Sequence, residues 1–182
     1  MKYLAMNELK TLLQGVPETH PELRTAFLVM YWHGLRLSEV FGPKGLKGKQ
    51  IQHGYVDVFR LKGSEHTVQP YVVSNDPELD ESKPLAELAK RTALDSNVFP
   101  LKQRRVQQIM AEIAESTGLN RKRMHPHALK HTCAMHGIQA GQGIEVMRSV
   151  LGHKSLSSTG FYTRIAQDDA MNSFAKAMGG RT

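Results

Sequence analysis

Apolar residues recur every three or four positions along most of this chain, with one interruption where the period falls to two. Residues 6–14, opening near Asn7, follow the longer spacing and predict a short helix. Residues 21–33, PELRTAFLVMYWH, are apolar almost throughout and predict a longer, mostly buried helix with Pro21 in its first turn. Gly34 lets the chain bend before Leu35 to Val40, and Gly42, Pro43, Gly45 and Gly48 then break regular structure. From Leu46 to Val73 the period is two. The run YVDVFRL alternates about Val56 and Val58, Gly63 and Ser64 supply a turn, and the chain returns from His66 to Val73. This pattern predicts a small three-stranded antiparallel sheet ending in a hairpin. Helical spacing then resumes at 83–92 and at 102–117, where Gly118 closes the helix. It continues at about 126–140, 143–150, 155–164 and 167–178. The expected fold class is α+β, mainly helical, in one domain covering 1–182, since no repeat, low-complexity tract or linker interrupts it.

At 182 residues, with 40% apolar and 23% charged positions, the chain is long enough to bury a sizeable core. No run approaches the roughly 18 apolar residues of a membrane span. The opening MKYLAMNELK has polar and acidic residues where a signal peptide needs an apolar run. The lone Cys133 excludes an internal disulfide framework. A cytoplasmic protein is expected. Charge sharpens the picture through its distribution. Residues 99–164 hold ten Lys or Arg against three Glu, a net +7 that equals the excess of the whole chain. Residues 76–95 hold six of the 17 acids and should face away from an anionic ligand. A one-sided basic face points to nucleic acid bound largely through its phosphates.

The stretch from His127 to Tyr162 sets His, Lys, His and Tyr at intervals that suit attack on a phosphodiester. That reaction needs a nucleophile, cations for the charge on the pentavalent phosphorus, and a proton donor for the leaving oxygen. A tyrosine hydroxyl, with a pKa near 10, is a poor nucleophile at neutral pH unless a base or cations assist it. Positive donors aimed at the non-bridging oxygens usually supply the largest catalytic contribution. Each residue alone has a plainer reading: Tyr162 as core, Arg36 as a structural partner of Glu39 three residues on, Lys62 as a solvated turn residue, His153 as a helix cap. His127 and His131, four apart on one helix face, could hold zinc, but HALKH lacks the glutamate of HExxH and no third ligand is evident. No metal is expected.

Taken together, HALKHT from His127, LGH ending at His153, and Tyr162 nine residues further on resemble the C-terminal catalytic signature of the tyrosine recombinases, the phage-integrase family. HGLRLSE, residues 33–39, resembles the family's first arginine box. KGSEHTVQP, residues 62–70, aligns without gaps on its Lys-Gly hairpin, proline included. The resemblance runs from about Leu4 to Ala166. It implies a recombinase catalytic-domain-like helical bundle that cleaves and rejoins DNA. In that scheme Tyr162 attacks the scissile phosphate and forms a 3′-phosphotyrosyl link, leaving a free 5′-hydroxyl. Arg36 clamps the phosphate and Glu39 supports the site. Lys62 is the general acid for the 5′-oxygen, a role an ammonium can fill where guanidinium hardly can. His127 bonds the phosphate or accepts the tyrosine proton, and His153 donates to a non-bridging oxygen. His131 is a structural hydrogen-bonder, with His125 and His136 outside the chemistry. Bond energy is conserved, so no cofactor is needed.

Two departures stand out. Lys130 occupies the place of the family's second arginine, keeping the charge but losing the planar fork. Glu65 and Thr67 stand in the hairpin where basic residues are frequent. They leave room for one rival, a non-catalytic DNA-binding relative; a second, topoisomerase-like strand relaxation, is what the same chemistry allows when no partner duplex is synapsed. The resemblance also implies double-stranded DNA as partner, a nucleoid location, and self-association on DNA, the family's synapse being tetrameric. The family's N-terminal core-binding domain is expected to be absent. Ala170, Met171, Phe174 and Met178 give the tail at 167–178 an apolar stripe for packing in cis or on a neighbouring protomer.

Overall fold

Helix α1 (Met6–Gln14) starts where the Glu8 side chain accepts the Ala5 N–H at 2.8 Å, and it turns Leu9, Leu12 and Leu13 into the core. The structure is a computed structural model describing residues 3–60 and 64–153. Helix α2 (Glu22–Trp32) is buried on nearly every side from Leu23 to Tyr31, as expected of a helix apolar all round. It packs against α6 (Pro126–Gln139), which is buried almost as fully. The Tyr31 hydroxyl meets His136 Nδ1 at 3.1 Å across that interface. Helix α5 (Gln103–Thr117) lies against α1 and ends at Gly118, whose φ of +71° closes the helix in the left-handed conformation. Helix α7 (Ile144–Leu151) lies on α6, close enough that a Cβ on Gly137 would collide with Met147.

Strands β1 (Tyr55–Val58) and β2 (Thr67–Pro70) pair antiparallel, with Tyr55 opposite Pro70 and Val58 opposite Thr67. Helix α4 (Ser82–Arg91) follows and packs on a 3-10 turn at Gly48–Ile51. The mainly helical α+β class holds, and the helices expected at 6–14, 21–33, 83–92, 102–117, 126–140 and 143–150 are present within one residue or so at each end. Those expected at 155–164 and 167–178 lie outside the described residues.

The three-stranded sheet needs correction: two strands pair among the described residues. Residues 46–51 use their backbone groups elsewhere. Gly48 N–H donates to Ser96 O and Lys49 N–H to Leu94 O, and Lys47 makes an isolated bridge with Asn97. Gly45 and Gly48 allow this path, because a Cβ on either would stand 2.5 Å from a backbone oxygen, of Val40 and Ala93 respectively. One short element was not anticipated, helix α3 (Leu37–Val40), a single turn directly after the glycine bend.

Candidate active site

The HGLR segment turns sharply where α2 ends. Gly34 adopts φ +57°, and a Cβ there would lie 2.5 Å from Leu151 Cδ2, so conformation and space both require glycine. His33, fully buried, bonds Gln69 on β2 and Glu81 before α4, each at 2.7 Å. Glu81 therefore lies in the core beside this turn, unlike the outward-facing acid expected for 76–95. Arg36 opens α3. Its N–H donates to Glu39 Oε2 at 2.8 Å, and its guanidinium donates to Glu39 Oε1 at 2.9 Å and to Ser64 Oγ at 3.1 Å. The Glu39 side chain has no exposure, whereas a quarter of the Arg36 side chain reaches solvent. The structural pairing expected of Arg36 is present, and the side chain still has a face outward.

Helix α6 begins with His125 as its cap and Pro126 in its first turn. His127 is exposed in that turn, 6.4 Å from the His125 ring, and His131 is half-buried one turn later. Lys130 is 8% exposed, and its Nζ donates to Leu151 O, at the end of α7, at 2.9 Å. Burial first, then repulsion by Arg60 and Arg36, draws the Lys130 pKa down to about 7, against smaller opposing effects of Glu39 and Cys133. Helix α7 stops at Gly152, φ +64°, which presents His153. The His153 N–H donates to Arg148 O at 3.0 Å, and its buried Nδ1 has no hydrogen-bond partner among the described residues. Burial and the charges of Lys130, Arg36, Arg60 and His131 bring its pKa down to about 4, so the ring is neutral at pH 7.

Arg36, Lys130 and His153 thus come from three separate segments into one electrostatic neighbourhood. A fourth member escaped the sequence reading. Arg60, just past β1, has a fully buried side chain that donates to His33 O (2.8 Å), Gly34 O (3.0 Å), Val150 O (2.8 Å) and Thr67 Oγ1 (3.0 Å). It stands 3.9 Å from Glu39. Burial lowers its pKa to about 10, which leaves it charged at neutral pH. The signal was available: Arg60 continues the period of Val56 and Val58, so an arginine falls in phase with the buried face of β1. Lys62 and Tyr162 lie outside the described residues. Among those residues, no group of His, Cys, Asp or Glu is arranged to hold a metal.

The basic face is more self-neutralised than its count suggests. Arg105, Arg121, Arg123 and Arg148 pair with Glu112, Glu115, Glu8 and Glu145 respectively. Lys102, Arg104 and Lys122 are exposed. No described helix is long and apolar enough to cross a membrane.

The family model for the phage integrase family matches residues 2–169. The chain is 28% identical over 173 residues to the tyrosine recombinase XerC of Halalkalibacterium halodurans, covering 90% of this chain and 56% of that protein. It superposes on the crystal structure of XerA recombinase with a TM-score of 0.71 at 20% identity, covering 99% of this chain and 66% of that one. A lambda integrase dimer bound to a COC′ core site gives a TM-score of 0.67 at 20% identity, over 88% of this chain and 58% of that one. The chain therefore spans little more than half the length of the relative it matches.

Proposed function

The chain belongs to the phage integrase family, and we propose that it is a catalytic domain that cleaves and rejoins duplex DNA through a 3′-phosphotyrosyl intermediate. The observation that carries this reading is the cluster of Arg36, Arg60 and Lys130 around one carboxylate, Glu39, with His153 beside these cations. Burial first, and then the surrounding positive charge, depresses the pKa values of Lys130 and His153. An entering phosphate would relieve the repulsion.

In this scheme the Tyr162 oxygen attacks the scissile phosphorus and its proton passes to His127. The bond to the 5′-oxygen breaks, and Lys62 protonates that oxygen. Arg36 and Lys130 balance the charge that builds on the non-bridging oxygens, and His153 in its neutral form donates one hydrogen bond to them. Rejoining reverses each step, so no external energy source enters. The partner is double-stranded DNA, gripped through its phosphates, with self-association on it; the DNA-bound dimer of lambda integrase supports that expectation by analogy of fold. The location is the cytoplasm, at the nucleoid.

Nicked suicide duplexes test this directly, since loss of the short downstream fragment that carries the 5′-hydroxyl prevents rejoining and traps the covalent adduct for a denaturing gel. Tyr162→Phe should abolish the adduct while leaving duplex affinity within about fivefold, because one hydroxyl contributes about 1 kcal/mol at most to ground-state binding. An adduct that persists in the Phe variant would transfer the role to another nucleophile. Duplex binding without any adduct in the native protein would leave a non-catalytic DNA-binding relative as the better account.

A further inference from the structure

We propose that Arg60 is a positioning residue of this site, fixing the separation of Arg36 from His153 and bonding the carbonyl next to the one that Lys130 bonds. Its guanidinium bonds the turn before Arg36, the end of α7 and the hairpin at once. Two bonds go to the carbonyls of His33 and Gly34, the turn that delivers Arg36. A third goes to Val150 O, near the end of the helix that delivers His153. The fourth goes to Thr67 on β2. Those carbonyls would otherwise be buried with few donors, and the planar fork serves all three at once.

The neighbouring bonds tighten the same junction. Gln69 Nε2 also donates to Val150 O at 3.0 Å, Glu65 N–H donates to Gly152 O at 3.0 Å, and Arg36 reaches Ser64 Oγ. Gly152 is pressed so close that a Cβ would lie 3.0 Å from Arg60 Nε. The second part concerns charge. Lys130 is faced by Arg36 and Glu39 from the α3 turn, by Arg60 from the hairpin, by Cys133 on its own helix, and by His153 beyond α7, with His131 acting on His153. Among those cations Arg60 exerts the largest effect on Lys130. Arg60 and Lys130 bond adjacent carbonyls, Val150 O and Leu151 O, so after burial itself Arg60 is the strongest influence on how readily Lys130 keeps its proton.

The cleavage readout rests on the recombinase reading; the titration readout does not. Arg60→Lys keeps a cation and loses the fork, whereas Arg60→Met loses both. Lys130 is followed by NMR of carbon-13-labelled lysine across pH, and cleavage is followed at saturating nicked suicide duplex alongside its Kd. In Arg60→Lys, Lys130 should titrate near its native midpoint. Cleavage should fall by about tenfold or more with Kd within about threefold, since misplacement by ~1 Å can cost ~10²-fold. In Arg60→Met the Lys130 midpoint should move to higher pH, and the alkaline limb of kcat/KM should move with it. An unmoved Lys130 midpoint in Arg60→Met, or native cleavage rates in Arg60→Lys, would overturn the proposal. Should Arg60→Met fail to fold, Arg60→Lys and Thr67→Val, which removes only the Nε acceptor, carry the test through their cleavage rates. If native protein cleaves no duplex while the Lys130 midpoint still follows Arg60, the recombinase reading fails and the control of Lys130 by Arg60 stands.

Discussion

Arg36 reaches the site from a one-turn helix that caps itself, with a buried carboxylate 2.9 Å away and a quarter of its side chain in solvent. Lys130 reaches it from within a buried helix, with a carbonyl as its acceptor and a pKa of about 7. A guanidinium beside a carboxylate stays charged at any pH the protein meets, and its fork is already oriented. An amine among other cations holds its proton conditionally. The comparison teaches that exchanging arginine for lysine changes more than geometry at such a position. It turns a permanent charge into one that depends on pH and on an arriving anion.

The largest expected effect comes from removing the carboxylate on which the Arg36 side depends. Glu39→Gln strips the shared acid from Arg36 and from the buried Arg60, and loss of one partner from a buried charge set costs about 3 kcal/mol or more. It also removes a charge that helps Lys130 stay protonated, so cleavage at pH 7 should drop beyond what unfolding explains. Urea midpoints measure the first effect. A cost under about 1 kcal/mol would mean that the turn holds without its acid.

Giving Lys130 the permanence of Arg36 should sharpen the contrast from the other side. Lys130→Arg should abolish the alkaline limb of kcat/KM near pH 7 and raise cleavage at pH 8 by about tenfold, if 1.4 kcal/mol of transition-state stabilisation is recovered. A profile still falling from pH 7 in the Arg variant would assign the limb to another group.

A third effect is on stability. The Lys130 amine holds its proton up to about 10.5 in the unfolded chain and gives it up near 7 when folded. Between those values the unfolded state binds more protons, so native stability rises with pH, while below 7 the full cost of burying the ammonium remains. Lys130→Met should therefore be the more stable form at pH 6, with the gap closing toward pH 9. Urea unfolding at the two pH values decides it; a gap that is constant or widens would show that the folded amine does not titrate in this range.

Much of this was legible along the chain because period reports local structure well. The helix at 103–117 carries its core residues at helical spacing, the one at 126–139 is a nearly continuous buried run, and the glycines at 118 and 152 end helices as their type suggests. Three things were not legible. The expected third strand failed because Gly45 and Gly48 let the backbone approach Val40 and Ala93, a tertiary fact that alternation along 46–51 does not carry. Helix α3 is a single turn, too short to show a period. Arg60 stayed hidden because it lies outside the recognised boxes, although it falls in phase with Val56 and Val58. The environment of Lys130 was also beyond reach, since its neighbours Arg36, Arg60 and His153 are scattered from one end of the chain to the other.

The two glycine turns bear on how this protein could be rebuilt. Gly34 leaves no room beside Leu151, and Gly152 is tight against Arg60, so the arginine box is shaped to the LGH segment and that segment to the end of β1. Residues 33–39, residue 60 and residues 150–153 therefore form one heritable unit scattered through the sequence. A chimaera that imports the arginine box from a relative but retains the native LGH segment joins surfaces fitted to different mates. Libraries that shuffle this fold should keep those three segments from one parent and place their crossover points elsewhere.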